Sequence, residues 1–373
     1  LEKHLHVVCL DVPYPADYGG AFEMFFKIKA LYKEGIKIHL HCFEYGRGKQ
    51  EILNNYCTEV RYYKRNEGHK GLSMKLPYIV SSRANPELLE NLKKDDYPIL
   101  FEGVHTTYYV HEHALDDRKV FIRLHNAEYL YYKQLAKQCR SLWKKIYYFN
   151  ESRLLYKYEK AITSTATILA ISLKEEKKFK EEFKAQKVKH LPAFIGWDFP
   201  LSKEGVGNFC LYHGNLSVAE NEKSAAWLLK HVFNDLAIPF VIAGKNPSSH
   251  LEKLSHSQQH TCLVANPSEK EMQDLIQKAQ INILPAFSET GIKFKLLNAV
   301  FCGRHTVVND QMSDGTHLES ACHIAASASG FKSLLSQLYR KPFDDEEITL
   351  REKLMHHFYN NQENARQLIK WIW

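Results

Sequence analysis

Short apolar, β-rich runs alternate along the chain with segments whose apolar positions recur every three or four residues. LHVVCLDV at 5–12 reads as a buried parallel strand. The loop PYPADYGG follows it, and the spacing of Ala21, Met24, Ile28 and Leu31 predicts a helix over about 21–34, with Gly35 as its C-terminal cap. KIHLHCFE, EVRYYKR, PILFEGV, KVFIRLHN, TATILAIS (165–172) and VKHLPAF read as six further strands, and LKEEKKFKEEF as a helix between the last two. The rhythm restarts after the Gly-containing stretch SKEGVGN at 202–208. NFCLYHGN, PFVIAGK, INILPAF and HTVVND are its strands. NEKSAAWLLKHVF is a helix with Ala225, Leu228, Leu229 and Val232 on one face, and PSEKEMQDLIQKA is a helix opening with a Ser268–Glu271 capping box. FKLLNAVFCG is a helix ending at Gly303.

Strand, turn and helix recur about every 30–35 residues, the size of a βαβ unit. Two α/β domains of the doubly wound, Rossmann-like type are therefore expected, over 1–196 and 205–352, joined near 196–207. The segment 353–373 reads as a C-terminal helix, and its aromatic end at Trp371 and Trp373 predicts that it packs down on the protein. At 373 residues the chain suits two domains.

Composition is that of an ordinary globular protein, and the formal charge of +7 selects no partner by itself. The 50 Lys and Arg form no block of like charge, which argues against nucleic acid. Eight cysteines contain no Cys-x-x-Cys pair, and Cys9 and Cys42 fall inside strand-like runs, as buried free thiols do in a reducing compartment. With no run of 18 apolar residues and no signal-peptide pattern, the cytosol is the expected location.

Candidate chemistry gathers where strands give way to helices. Gly19 and Gly20 lie between the first strand and its helix, where glycines permit positive φ and the helix N-terminus suits phosphate; a tight turn would explain the pair equally. His125 and Asn126 in His125-Asn126-Ala127-Glu128 end the strand KVFIRL, at the sheet edge where ligands of open α/β sheets bind. Gly291-Ile292-Lys293-Phe294-Lys295 opens a helix after INILPAF, so Lys293 and Lys295 are candidate pyrophosphate ligands, with Glu289 before them as a ribose acceptor. Gly214-Asn215 and Gly244-Lys245 are two more glycine turns at strand ends, and together these turns and lysines indicate a polyanionic ligand.

In this order, VPYPADYGGAFEMFFKIKALYKEG, RLHNAEYLYY, YKYEKAITSTATILAISLKEE, FCLYHGNLSVAENEKSAAWLL, FVIAGKNP and ILPAFSETGIKFKLLNAVFCGRHTVVND resemble the retaining glycosyltransferases of family 4 over roughly residues 5–310. The resemblance implies a GT-B fold, two Rossmann-like domains facing a central cleft, with the acceptor on the N-terminal domain and the nucleotide on the C-terminal one. It implies that Gly19 and Gly20 lie against donor phosphates, that His125 sits near the transferred sugar, and that no metal or other cofactor is needed. It also implies that the last helix crosses back onto the N-terminal domain.

Two departures stand out. Asn215 holds the place of the family's diphosphate-clamping Arg, with Lys223 the candidate for the accompanying Lys. The paired glutamates expected near 290 and 298 are Thr290, beside Glu289, and Asn298. The sequence thus leads to a metal-independent, retaining hexosyltransferase that uses a nucleoside diphosphate sugar and a glycan or lipid-linked glycan acceptor. In it Lys293, Lys295 and Lys245 neutralise the diphosphate, Glu289 and Asn298 hold ribose or sugar, and Gly291 and Gly214 shape the turns. A nucleotide-sugar 2-epimerase and a non-catalytic GT-B binding or assembly protein are the alternatives. Residues 129–160 interleave aromatic and basic side chains and admit two readings. One is peripheral contact with an anionic membrane. The other is an ordinary helix with Leu142, Ile146, Phe149, Leu155 and Ile162 as its buried stripe.

Overall fold

The computed structural model of the chain describes residues 2–139, 141–287 and 293–373. It divides into two compact units, 2–196 with Tyr359–Trp373, and 197–287 with 293–358.

The first unit is built on seven parallel strands: β1 (His4–Cys9), β2 (Lys37–Glu44), β3 (Glu59–Lys64), β4 (Ile99–Glu102), β5 (Val120–Leu124), β6 (Thr167–Ala170) and β7 (Val188–His190). Their order is β3-β2-β1-β4-β5-β6-β7, with β1 paired to both β2 and β4. All seven coincide with apolar runs of the first half. Such runs are legible because a parallel sheet covered on both faces must be apolar on both. Alternate residues feed two cores: Val8 joins Phe101, Ile122 and Leu155 on one face, whereas Leu5, Val7 and Cys9 join Met24, Ile28 and Leu31 on the other. The helix Gly19–Lys33 ends as expected for a glycine cap, with Gly35 at φ +82° and the N–H of Ile36 donating to Leu31 O. The last helix, Asn361–Ile372, adds Ala365, Leu368 and Ile372 to the same core.

The second unit has six parallel strands: β8 (Cys210–His213), β9 (Phe240–Gly244), β10 (Thr261–Ala265), β11 (Ile281–Leu284), β12 (His305–Val308) and β13 (His323–Ile324), in the order β10-β9-β8-β11-β12-β13. The capping box is formed, Ser268 Oγ accepting from Glu271 N and Glu271 accepting from Ser268 N. Both edge strands, β10 and β13, escape the sequence pattern. β10 lies partly open, with Cys262 exposed, and β13 is two residues long, so neither carries a buried apolar run.

Two other expectations change. The single helix expected over 353–373 is two helices, Asp345–Phe358 and Asn361–Ile372, because Asn360 caps the second by accepting from Gln362 N and Glu363 N. The proposed stripe of residues 142–162 also divides. In the helix Leu142–Thr165, Leu155 and Ile162 are buried with Glu151 and Glu159, but Leu142, Ile146 and Phe149 are exposed. At about 100° per residue, Leu155 and Ile162 lie on the opposite side of the helix from Leu142 and Ile146.

Candidate active site

In the first unit the carboxyl ends of β1, β4 and β5 share one edge of the sheet, where four ionic side chains are fully buried. Glu23 and Lys27 come from the helix Gly19–Lys33, Glu102 from the end of β4, and Arg123 from β5 in register with Glu102. Lys27 Nζ donates to Glu23 Oε2 at 2.8 Å and to Glu102 Oε1 at 2.6 Å. Arg123 donates to Glu23 Oε1 through Nε and Nη2, at 3.1 and 2.8 Å, and reaches the carbonyls of Leu191 and Pro192 with its remaining donors. Burial raises the pKa of Glu23, but Arg123 and Lys27 outweigh it and hold the carboxyl at about 2. Two carboxylates and two fixed cations thus cancel inside a dry site.

His125, just past β5, lies on this cluster. Its Nε2 is 3.4 Å from Glu102 Oε2 and its Nδ1 is 3.9 Å from Glu23 Oε2, and its side chain keeps 16% exposure. Neither ring nitrogen has a hydrogen-bond partner among the described residues, nor does Glu102 Oε2. The imidazole therefore faces carboxylates with both ring nitrogens, which are buried, and only its carbon atoms reach the surface. Asn126 follows it, half-buried. Glu128 opens the next helix. Burial, then the charge of Glu175, pushes its carboxyl up to about 7 against the pull of Arg83. Sequence reasoning named the stretch but gave Glu128 no role. Its signal was a carboxylate three residues after a strand-end histidine.

Gly19 and Gly20 correct an expectation. They are the first two residues of the helix and neither has positive φ. A Cβ on Gly20 would lie 2.9 Å from the ring of Tyr18, so glycine is needed there for that ring to fold over. Tyr18 OH donates to Asp11 Oδ2, and no side chain caps the helix N-terminus.

In the second unit the site forms at the ends of β8 and β11. Lys293 is the N-cap residue of the helix Phe294–Cys302 and makes no cap with its own side chain, and Lys295 lies in the first turn. Lys295 Nζ donates to Asn221 Oδ1 at 2.8 Å and to Tyr212 OH at 3.4 Å. Burial, relieved by Glu220 and reinforced by Lys293, lowers its pKa to about 8. Lys293 Nζ lies 3.9 Å from Glu220 Oε1. His213, the last residue of β8, is held neutral by burial and then by Lys295, with its pKa near 3. Its Nε2, like Asn298 Oδ1, is buried and has no hydrogen-bond partner among the described residues. Unpaired buried polar atoms beside two lysines at a helix N-terminus suit an anionic, hydroxyl-rich ligand. His213, Glu220 and Asn221 were not singled out from sequence. Their signal was a strand-end histidine, and an acid and an amide opening the next helix.

The glycine that ends β9 serves packing. A Cβ on Gly244 would lie 1.9 Å from Gly214 O, so glycine at the end of β9 lets the 214–216 loop pass over it. Asn215 Oδ1 accepts from Ser217 N and Ser217 Oγ, and its carbonyl accepts from Asn221 Nδ2. The Asn215 side-chain oxygen is thus committed to its own loop. Lys245 is exposed at the end of β9, and Lys223 lies over the ring of Phe287. Glu289 and Gly291 lie outside the described residues.

Two described groups bring metal-ligand side chains within 4.8 Å of one another. Glu23, Glu102 and His125 form one, but Lys27 and Arg123 already neutralise its carboxylates. His305, His323 and Glu347 form the other, at the amino ends of β12 and β13.

Residues 207–340 match the family described as glycosyl transferases group 1. A protein of the cps region of Klebsiella pneumoniae is 27% identical over 328 residues, 83% of this chain and 84% of that protein. Among solved structures, Anabaena Alr3699/HepE in complex with UDP and glucose superposes with a TM-score of 0.67 at 11% identity, over 100% of this chain and 99% of that one. Arabidopsis thaliana UGT89C1 complexed with UDP-L-rhamnose gives a TM-score of 0.59 at 12% identity, over 100% and 99%. The fold is GT-B, and the match to the group 1 family falls within the second unit.

Proposed function

We propose that this glycosyltransferase moves a hexose from a nucleoside diphosphate sugar to a glycan or lipid-linked glycan acceptor, retaining the anomeric configuration without a metal ion. The observation that carries the reading is Lys293 and Lys295 at a helix N-terminus, beside the polar atoms of His213 and Asn298 that lack partners among the described residues, within the stretch that matches the group 1 family. As the bond from the anomeric carbon to the diphosphate breaks, negative charge grows on the leaving oxygen. Two ammonium groups and a helix dipole stabilise that charge without reorganising. Lys295 sits in a site that depresses its pKa, so an arriving diphosphate restores its full charge. Lys245 is the third cation of the assignment, and Asn298, with Glu289, the contact for ribose or sugar. In the first unit His125, steadied by Glu102 and Glu23, is assigned to a sugar hydroxyl. The cps-region relative supports a role in polysaccharide assembly.

The non-catalytic reading draws on Asn215, whose side chain leaves no arginine-like clamp in its loop. Epimerisation needs carboxylates that reach the ligand, and Glu23 and Glu102 are buried under Lys27 and Arg123.

Thermal shift against UDP, GDP, ADP and their sugars, with and without EDTA, tests the proposal, starting from UDP because Alr3699/HepE holds it. A rise in Tm with one nucleotide family, unchanged by EDTA, is expected. No rise with any of them would overturn the donor assignment, and a bound nucleotide without turnover would favour the non-catalytic reading.

A further inference from the structure

The helix Leu142–Thr165 begins with two turns that are almost wholly exposed and strongly apolar. Trp143 is 85% exposed, Leu142 74%, Ile146 63% and Phe149 55%. Leu142, Ile146 and Phe149 occupy the side of the helix opposite Leu155, Tyr158 and Ile162, which pack into the first unit's core, and Trp143 stands on its flank. Further along, the same outward side carries Arg153, Lys157 and Lys160.

Charge is sorted just as sharply. Within 131–160 the described cations Lys133, Lys137, Lys144, Lys145, Arg153, Lys157 and Lys160 are all exposed. The two carboxylates of that stretch, Glu151 and Glu159, are both buried and spent on backbone donors: Glu151 accepts from Tyr78 N, and Glu159 from the N–H groups of Glu128 and Tyr129. Within 131–160 the surface is thus apolar at its tip and cationic around it, with no exposed acid among the described residues of that stretch.

We infer that this face docks on an anionic lipid bilayer, with Leu142, Trp143, Ile146 and Phe149 entering the headgroup–acyl boundary and the surrounding lysines and arginine meeting lipid phosphates. A second copy of the chain is a poor occupant, because a two-fold contact would set these cations against their own counterparts. A protein partner is disfavoured because protein interfaces are depleted of lysine. An interfacial helix wants this combination: Trp, Phe and Leu on a face sunk roughly 5–10 Å, ringed by Lys and Arg. The inference deepens the proposed function by naming the surface on which a lipid-linked acceptor would be met. Its test uses neither donor nor acceptor, so either reading can fail alone.

The experiment is flotation of the full chain with phosphatidylcholine vesicles, with and without phosphatidylglycerol. The protein should float with the anionic vesicles and be released by salt. The variant W143S/I146S/F149S should lose partition by on the order of tenfold or more, with unchanged thermal unfolding because those side chains are exposed. The variant K144E/K145E/R153E/K157E should lose the preference for phosphatidylglycerol. Independently, anionic vesicles should shift tryptophan emission to shorter wavelength in the wild type and less in W143F. The inference is overturned if the wild type stays unbound, if the triple serine variant floats equally well, or if light scattering shows a wild-type dimer that this variant makes monomeric.

Discussion

Both units place lysines at the carboxyl edge of a parallel sheet, yet the two sites treat charge in opposite ways. In the first unit Lys27 and Arg123 are each matched to a carboxylate at hydrogen-bond distance, and the four groups balance in the dark. In the second, Lys295 meets an amide and a phenol oxygen, and no carboxylate among the described residues lies within ion-pair distance of it. A balanced buried cluster holds a backbone in place and orients whatever leans on it, here His125. An under-matched lysine with a depressed pKa is stabilised when an anion arrives. The first site is built to position and the second to receive.

The largest effect should come from breaking the balance. Arg123→Met leaves Glu23 buried with half its compensation and is expected to cost about 3–5 kcal/mol in urea unfolding. Adding Glu23→Gln should recover part of that loss. A double variant no more stable than the single one would show that Arg123 works through its carbonyl contacts instead. The sign with pH follows from the depressed carboxyl. Its stabilisation is present above the ordinary Glu range, and is lost as pH falls through about 2.

Lys295→Met should leave folding intact, since it removes a charge from a site that disfavours it. It should weaken nucleotide binding by about 1.5–3 kcal/mol, read by calorimetry. In the wild type, binding should weaken as pH rises through about 8, where the lysine loses its proton. The variant should be flat there. A wild-type profile without that step would remove Lys295 from the receiving site.

The smallest effect concerns Glu128, whose carboxyl is raised to about 7. Between the ordinary Glu range and that value the folded chain holds a proton the unfolded chain has lost. Stability contributed by this group is therefore fully present below that window and falls as pH rises through it. Glu128→Gln should flatten that part of a Tm-against-pH curve, and an unchanged curve would assign the slope to other groups.

How much of this was legible in the sequence depended on how far each feature is local. The inner strands of the first sheet were readable because each is buried on both faces, and its edges β3 and β7, less buried, were readable from their place in the strand–helix rhythm. The strand ends were readable too, so the positions of His125, Lys293 and Lys295 at the carboxyl edges of the two sheets could be read. The ionic cluster was not. Glu23 and Lys27 look like any solvated i,i+4 pair until the fold brings Glu102 and Arg123 over them. Gly244 read as a ligand turn, although its space is taken by Gly214 O, a contact between strands far apart in sequence. The helix Leu142–Thr165 misled for a different reason. Its apolar residues were plain, but they lie on two faces, and only packing tells which is covered.

The last helix has a consequence for the order of synthesis. Ala365, Leu368 and Ile372 belong to the same core as Leu5, Val7 and Met24. A ribosome makes one end of that core first and the other end last, with the second unit's chain between them. The second unit's described residues all lie between 197 and 358 and can fold as soon as they emerge. The first unit, begun earliest, is sealed latest, and until then the side of the helix Gly19–Lys33 that it will cover stays open to water.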